Sequence, residues 1–340
     1  MAVPRGRWDP SRSGGADGCA VGTTGGGESA RGPGFDRTLT PGGYAWWYVD
    51  ALSDDGRHAL TIIAFIGSVF SPYYAAARRR SAGDPTNHCA MNVAIYGEDR
   101  KRWSMTERGS RQLTRERDRL LIGPSRLDWD GSRLTIQIDE IAAPWPARIR
   151  GKVHLHANSL FDHALSLDRA GRHSWTALAP CARVEVDLEH PRLRWHGHGY
   201  WDTNTGSEPL ELGFTRWDWS RATLRDGSTA VLYDASRRDG GNWSAGLRFD
   251  RSGRVEEFEA PQRARLPVTG WRIERGTRSE DARATGVRRT LEDTPFYARS
   301  LVSAKLLGEP VTGVHESLSL ERFSRRWVQA LLPFRMPRRS

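Results

Sequence analysis

Lysine is nearly absent from this chain: Lys101, Lys152 and Lys305 are the only three, and the other 48 of its 51 basic residues are arginine. The net charge of +10 therefore rests on arginines that are dispersed along the sequence rather than gathered in a stripe. Such a skew reflects genome composition more than a design for nucleic acid, and no zinc-finger spacing or RNA-binding signature accompanies it. No nucleic-acid partner is expected. Cysteine is equally scarce. Cys19, Cys89 and Cys181 are too few, too scattered and odd in number for a disulfide framework, which fits a reducing cytoplasm. No apolar stretch approaches the ~20 residues that span a bilayer; the best, Leu60 to Phe70, falls well short. The N-terminus lacks the charged-then-apolar pattern of a signal peptide. A Gly-x-Ser-x-Gly elbow, a phosphate-cradling glycine loop and a dinucleotide fingerprint are all missing, so no cofactor is expected.

What is present is strand and turn. Gly42 to Asp50 is aromatic and β-rich, and a polar turn follows at Ser53-Asp54-Asp55-Gly56. The run Leu60 to Phe70 is then apolar on both faces, so it is either buried on both sides or lines a greasy cavity. Leu127 to Ile138 alternates on both sides of Asp130-Gly131, the strongest short hairpin signal. Further hairpins turn at Asp226-Gly227 and Ser252-Gly253, and Val184, Val186 and Leu188 alternate with charged residues. Helical spacing gains support only near Phe323 to Leu332. This pattern predicts an all-β fold of antiparallel barrel or sandwich type with little helix. The 300 residues from Pro41 onward exceed a single eight-stranded barrel. The expected organisation is therefore a disordered Gly/Arg-rich tail over 1–40, β-domains over 41–205 and 206–330, and a basic tail over 331–340. That last segment mixes apolar and basic residues, and contact with an anionic membrane surface is the alternative to a docked or frayed end.

Two pairs of residues carry candidate chemistry. Side chains two apart on a strand share a face, which puts His173 with Trp175 and Tyr200 with Asp202. If both pairs face one cavity, it gains an imidazole, an indole, a phenol and a carboxyl group. A carboxyl in an apolar aromatic cavity has its pKa raised and becomes a usable proton donor near neutral pH, and aromatic faces stabilise a cation. The competing reading makes Asp202-Thr203-Asn204-Thr205-Gly206 an ordinary turn capped by Asp202 and makes Trp175 and Tyr200 core packing. His154 with His156, and His196 with His198, share strand faces that a metal could use. No Asp, Glu or Cys stands at ligand spacing, so no metal is expected. Cys89 beside His88 is a weak signal for a nucleophile, since adjacent strand residues point apart.

Longer strings bring a family into view. Tyr44-Ala45-Trp46-Trp47-Tyr48-Val49-Asp50-Ala51-Leu52-Ser53-Asp54-Asp55-Gly56 resembles the opening of bacterial carotenoid 1,2-hydratases, also called hydroxyneurosporene synthases. So do Phe65 to Tyr74, Asn87 to Ala94, Arg102 to Gly109, Thr290 to Arg299 and His315 to Leu320. The likeness covers roughly Pro41 to Pro337.

The resemblance implies two tandem lipocalin-like β-domains. It also implies cofactor-independent addition of water to the terminal C1–C2 double bond of acyclic carotenoids such as neurosporene and lycopene, giving 1-hydroxy carotenoids. The family's His-x-Trp and Tyr-x-Asp motifs match at His173, Trp175, Tyr200 and Asp202. On that basis Asp202 is the expected proton donor, Trp175 and Tyr200 the cation-tolerant wall, and His173 the group that orients water or takes its proton. Trp47, Phe70, Tyr73 and Tyr74 are the expected substrate contacts. The rival class is a non-enzymatic carotenoid or lipid carrier, because lipocalin-like barrels commonly bind apolar ligands.

Overall fold

The computed structural model of the chain describes residues 32–81, 83–97, 101–157 and 160–339. Its first sheet begins with Tyr44–Ser53 (β1), Ala59–Ile66 (β2), Cys89–Tyr96 (β3) and Lys101–Arg108 (β4). Leu113–Arg115 (β5), Arg119–Ile122 (β6), Ser125–Trp129 (β7), Arg133–Ile141 (β8) and Arg148–His156 (β9) follow. Ala164–Ser166 (β10), His173–His190 (β11) and Leu193–Gly206 (β12) complete its long run. The second sheet holds Phe214–Thr223 (β13), Thr229–Arg237 (β14), Asn242–Phe249 (β15) and Val255–Glu257 (β16). Arg263–Leu266 (β17) and Arg275–Arg278 (β18) form a separate ribbon, and Gly286–Asp293 (β19), Tyr297–Leu306 (β20) and Glu309–Ser319 (β21) return to the second sheet. Neighbouring strands are antiparallel, except for the short Arg338–Arg339 (β22), which pairs parallel with β4. The fold is all-β and curled, as the turn signals predict.

β1 explains why the sheets lie face to face. Ala45, Trp47, Val49 and Ala51 point into a core enclosed by the first sheet itself. The alternate residues Tyr44, Trp46 and Tyr48 point into a second core that is shared with the second sheet through Phe214, Trp217, Trp219 and Tyr233. Both faces are thus buried, and each aromatic side chain removed from water contributes roughly 1.5–3 kcal/mol. β2 is likewise buried on both faces and stops at Gly67, whose φ of +68° suits glycine.

Four helices cap one end of the space between the sheets: Pro72–Arg80 (α1), Leu210–Gly213 (α2), Leu320–Phe323 (α3) and Arg326–Arg335 (α4). α1 departs from the sequence expectation. The Ser71 hydroxyl accepts from the Tyr73 and Tyr74 amides at 3.1 and 3.0 Å, Pro72 opens the first turn, and Arg78, Arg79 and Arg80 complement the C-terminal dipole.

One expected boundary needs correction. Of the anticipated tail 1–40, residues 1–31 lie outside the described residues, whereas 32–40 are packed. Phe35 is fully buried edge-on to Trp47 at 5.0 Å, and the Trp47 indole donates to the Pro33 carbonyl at 2.9 Å. Residues 331–339 are docked, one of the readings open for the basic tail 331–340. Leu332 and Met336 are buried, and Arg338 pairs with Glu107. An apolar helix face with core to cover docks rather than frays.

Candidate active site

The space between the sheets is layered, and the strand period of two sets the layers. On one face of β1, Trp46 and Tyr48 line a cavity, Asp50 sits in an ion cluster, and Leu52 lines a separate polar cleft. β13 repeats the order with Trp217 and Trp219, then Arg221, then Thr223; β20 does so with Tyr297, Arg299 and Leu301. The empty space between the cavity's walls, with open solvent at the mouth included, is about 1330 Å³. Its walls are aromatic and aliphatic: Trp46, Tyr48, Trp217, Trp219 and Tyr233 stand with Ile63, Phe65, Phe70 and Met105. Val328, Leu331 and Leu332 of α4 close over one side. Leu331 belongs to both wall and surface, which marks the mouth.

Asp202 is one of the few polar groups on these walls. It lies opposite Tyr48 in the β1–β12 register. The Trp175 indole N–H and the Tyr200 hydroxyl both donate to its Oδ2, at 2.8 and 2.9 Å. Its Oδ1 is buried and has no partner among the described residues. Burial dominates its titration and lifts the pKa to about 8. The two hydrogen bonds oppose that rise, and the charges of Glu316 and Asp50 add to it. Burial and the neighbouring Asp202 raise the Tyr200 phenol, so it remains a donor. The site thus holds a neutral carboxylic acid at pH 7, with one oxygen anchored and the other unpartnered.

The expected site residues divide. Trp175, Tyr200 and Asp202 come together, but Trp175 and Tyr200 grip the carboxyl from behind and do not line the cavity. The aromatic wall is built by Trp46, Tyr48, Trp217, Trp219 and Tyr233 instead. His173 is not brought to the carboxyl. It pairs with Gly206, four residues beyond Asp202 on β12, or about 13 Å at 3.3 Å per residue. There its Nδ1 meets the Tyr44 hydroxyl at 2.9 Å and its Nε2 faces Glu208 Oε1 at 3.4 Å. Burial lowers the His173 pKa, against the pull of Asp168 and Glu208. Phe70 lines the cavity. Trp47 does not, because it is the odd residue of β1 and faces the other core. Tyr73 and Tyr74 belong to α1, outside the lining, and the Tyr74 hydroxyl donates to the Gly43 carbonyl at 2.7 Å. Cys89 is buried in the first sheet's own core with its thiol pushed up to about 12, and His88 pairs with Glu107 at 2.9 Å.

Close packing under His173 yields a prediction. A Cβ built on Gly206 would meet the Tyr44 ring and stand 2.8 Å from His173 Nδ1. Gly206→Ala is expected to cost about 1–3 kcal/mol, read as a lower midpoint in thermal denaturation. An unchanged midpoint would mean that this layer yields freely.

The comparisons with known proteins bear on this geometry. The family model described as carotenoid hydratase CrtC matches residues 62–340. This chain belongs to the carotenoid hydratase family. An acyclic carotenoid 1,2-hydratase of Thiocapsa roseopersicina is 59% identical over 96% of the chain and 81% of its own length. One from Rubrivivax gelatinosus is 54% identical over 91% of the chain and 76% of its own length. As a carotenoid hydratase, the chain is a hydro-lyase. Solved structures share the fold alone. An AttH candidate from Nitrosomonas europaea matches with a TM-score of 0.59 at 16% identity, over 88% of this hydratase and 98% of that chain. CghA in complex with Sch210972 matches with a TM-score of 0.54 at 12% identity, over 85% and 91%.

Proposed function

We propose that the cavity takes one end of an acyclic carotenoid such as lycopene or neurosporene and adds water across its terminal C1–C2 double bond, placing the hydroxyl on C1. The observation that carries this reading is the neutral Asp202 carboxyl with its free Oδ1 on the wall of an aromatic cavity. Asp202 protonates C2, which leaves a tertiary cation at C1. Trp217, Trp219, Tyr233 and Tyr48 offer ring faces that tolerate this charge and cannot trap it covalently. As the proton leaves, Trp175 and Tyr200 hold the new carboxylate at Oδ2. His173 acts at a distance, as a positioning residue, through its bond to Tyr44, which stacks on Trp46 at 5.0 Å. Incubating the purified protein with lycopene tests the reading. A 1-hydroxy product is expected, whereas lycopene bound but returned unchanged would make the protein a carrier.

The same reading assigns the mouth to an anionic lipid surface, where such a substrate dissolves. No helix among the described residues is long and apolar enough to cross a membrane. Around the mouth, Trp327, Leu331 and Phe334 of α4 are 46%, 42% and 75% exposed. Arg325 and Arg326 are exposed beside them, as are Arg79 and Arg80 of α1, which packs against α4. Exposed aromatic and aliphatic residues with flanking cations suit interfacial binding. Phe334→Glu is expected to weaken binding to phosphatidylserine vesicles roughly 10-fold or more and to slow turnover of vesicle-embedded lycopene, with turnover in detergent unchanged. Vesicle binding equal to wild type would remove this face from the reading.

A further inference from the structure

Asp202 accounts for the proton that C2 receives, but the reaction also needs a group to take one from the attacking water. On the mechanism above, the cavity offers two further carboxylates; Glu292 is paired with Lys101 at 2.6 Å and Arg335 at 3.3 Å, which leaves Glu316 as the candidate whose charge acts on Asp202. Tyr48 lies opposite Asp202 in the β1–β12 register, and its hydroxyl stands 2.9 Å from Glu316 Oε1. Glu316 lines the same cavity and adds its charge to those raising the Asp202 pKa, so the two carboxyls face a common space.

Glu316 is held firmly. Arg299 donates to its Oε1, and burial together with the nearby Glu316 charge raises the Tyr297 phenol. Arg299 reaches Asp50 Oδ2 at 3.0 Å, and Arg221 Nε reaches Asp50 Oδ1 at 2.7 Å, so two guanidiniums balance two carboxylates. The two acids differ in one respect. Asp50 is sealed at 0% exposure, while the Glu316 side chain keeps 19%. A carboxylate has about four acceptor sites, and Arg299 and Tyr48 fill at most two at Glu316. Trp219, which pairs with Glu316 across β13 and β21 and lines the cavity, has an indole N–H without a partner among the described residues.

We propose that Glu316 is the catalytic base of the hydration: it binds the attacking water, helped by the Trp219 N–H, and accepts its proton. The C1–C2 π pair forms the C2–H bond with the Asp202 proton. A water lone pair then forms C1–O, and the O–H electrons stay on oxygen as the proton passes to Glu316. Water entering after product release carries that proton back to Asp202, so neither protons nor electrons accumulate.

The test separates the two steps with deuterium. Wild type, Glu316→Gln and Asp202→Asn are incubated with detergent-dissolved lycopene in D2O, and the product and the recovered lycopene are analysed by mass spectrometry and NMR. In Glu316→Gln, hydration is expected to fall roughly 10²-fold or more, while recovered lycopene gains deuterium at C2 because protonation still occurs and reverses. Asp202→Asn is expected to lose both. The double variant Glu316→Gln with Arg299→Met keeps the buried charges balanced and is expected to behave as Glu316→Gln does, which covers loss of folding in the single variant. Hydration within threefold of wild type in either Glu316 variant, or loss of deuterium uptake together with hydration in both, would overturn the proposal. A wild type that neither hydrates lycopene nor exchanges it would overturn the underlying functional reading instead.

Discussion

Asp202→Asn is expected to abolish hydration and to make the protein more stable at alkaline pH. The loss of activity follows from removing the acid, a contribution of roughly 10²–10⁴-fold for a positioned proton donor. Asparagine preserves the two anchoring bonds, since its carbonyl oxygen can accept from Trp175 and Tyr200 as Oδ2 does. The gain in stability follows from linkage. The folded pKa of about 8 lies well above the ordinary aspartate value of 3.8. Below pH ~4 both states are protonated and Asp202 costs nothing. As pH rises from there to 8, the unfolded chain releases a proton that the folded chain keeps, and stability falls. Above 8 the loss is complete, on the order of 5 kcal/mol. Asparagine has no such limb, so the advantage of the variant over wild type should be small at pH 5 and largest at pH 9, measured by denaturant titration. Wild-type kcat/KM should fall tenfold per unit above about pH 8, as Asp202 loses its proton. Activity that rises through pH 8, or a variant less stable than wild type at pH 9, would count against a buried neutral acid.

Arg299→Met is expected to destabilise the fold by about 3–5 kcal/mol, a fall of roughly 4–7 °C in thermal midpoint for a chain of this size. Arg299 is fully buried and bonds Asp50, Glu316 and Tyr48 at once. Methionine fills a similar volume but leaves the Asp50 and Glu316 carboxylates with one guanidinium fewer. Breaking one member of a buried ion cluster costs more than the cluster is worth, because the remaining charges stay desolvated. Adding Asp50→Asn should therefore cost less than the sum of the two single changes, a coupling above ~1 kcal/mol in a double-mutant cycle. A midpoint shift of less than ~2 °C for Arg299→Met would show that water reaches the cluster and solvates it.

How far the sequence foretells this arrangement depends on the separation of the interacting residues. Hairpins such as β7–β8 are legible because Asp130-Gly131 and the flanking alternation act within a dozen residues. The pairing of Tyr200 with Asp202 is legible for the same reason. α1 carried helix signals too, in Ser71-Pro72 and Arg78-Arg79-Arg80, but nine residues with few apolar positions give too short a pattern for helical periodicity to stand out. The true aromatic wall announced itself as Trp217-Asp218-Trp219, a same-face pair that no local feature links to Asp202. Only the packing of the second sheet on the first does so. The ion cluster is less legible still, because Arg221 and Arg299 meet Asp50 across 171 and 249 residues. His173 and Trp175 share a face, as their spacing requires, yet Trp175 pairs with Asn204, two residues nearer the carboxyl than His173's partner Gly206, and only its indole reaches it.

The ion cluster also decides the direction of traffic. It fills the layer between the apolar cavity and the polar cleft, so the cavity is a blind alley entered beside α4. On the proposed reading, a polyene goes in end-first, with its tip at Asp202 and the rest of its length trailing outward. It cannot be threaded through to present its far end. A symmetric substrate with two reactive tips must be withdrawn completely, turned around and inserted again before a second water is added. The same reading makes the singly hydroxylated molecule a released product that competes with fresh substrate for the entrance. The ratio of mono- to dihydroxy product should then follow the substrate supply rather than any property of the acid.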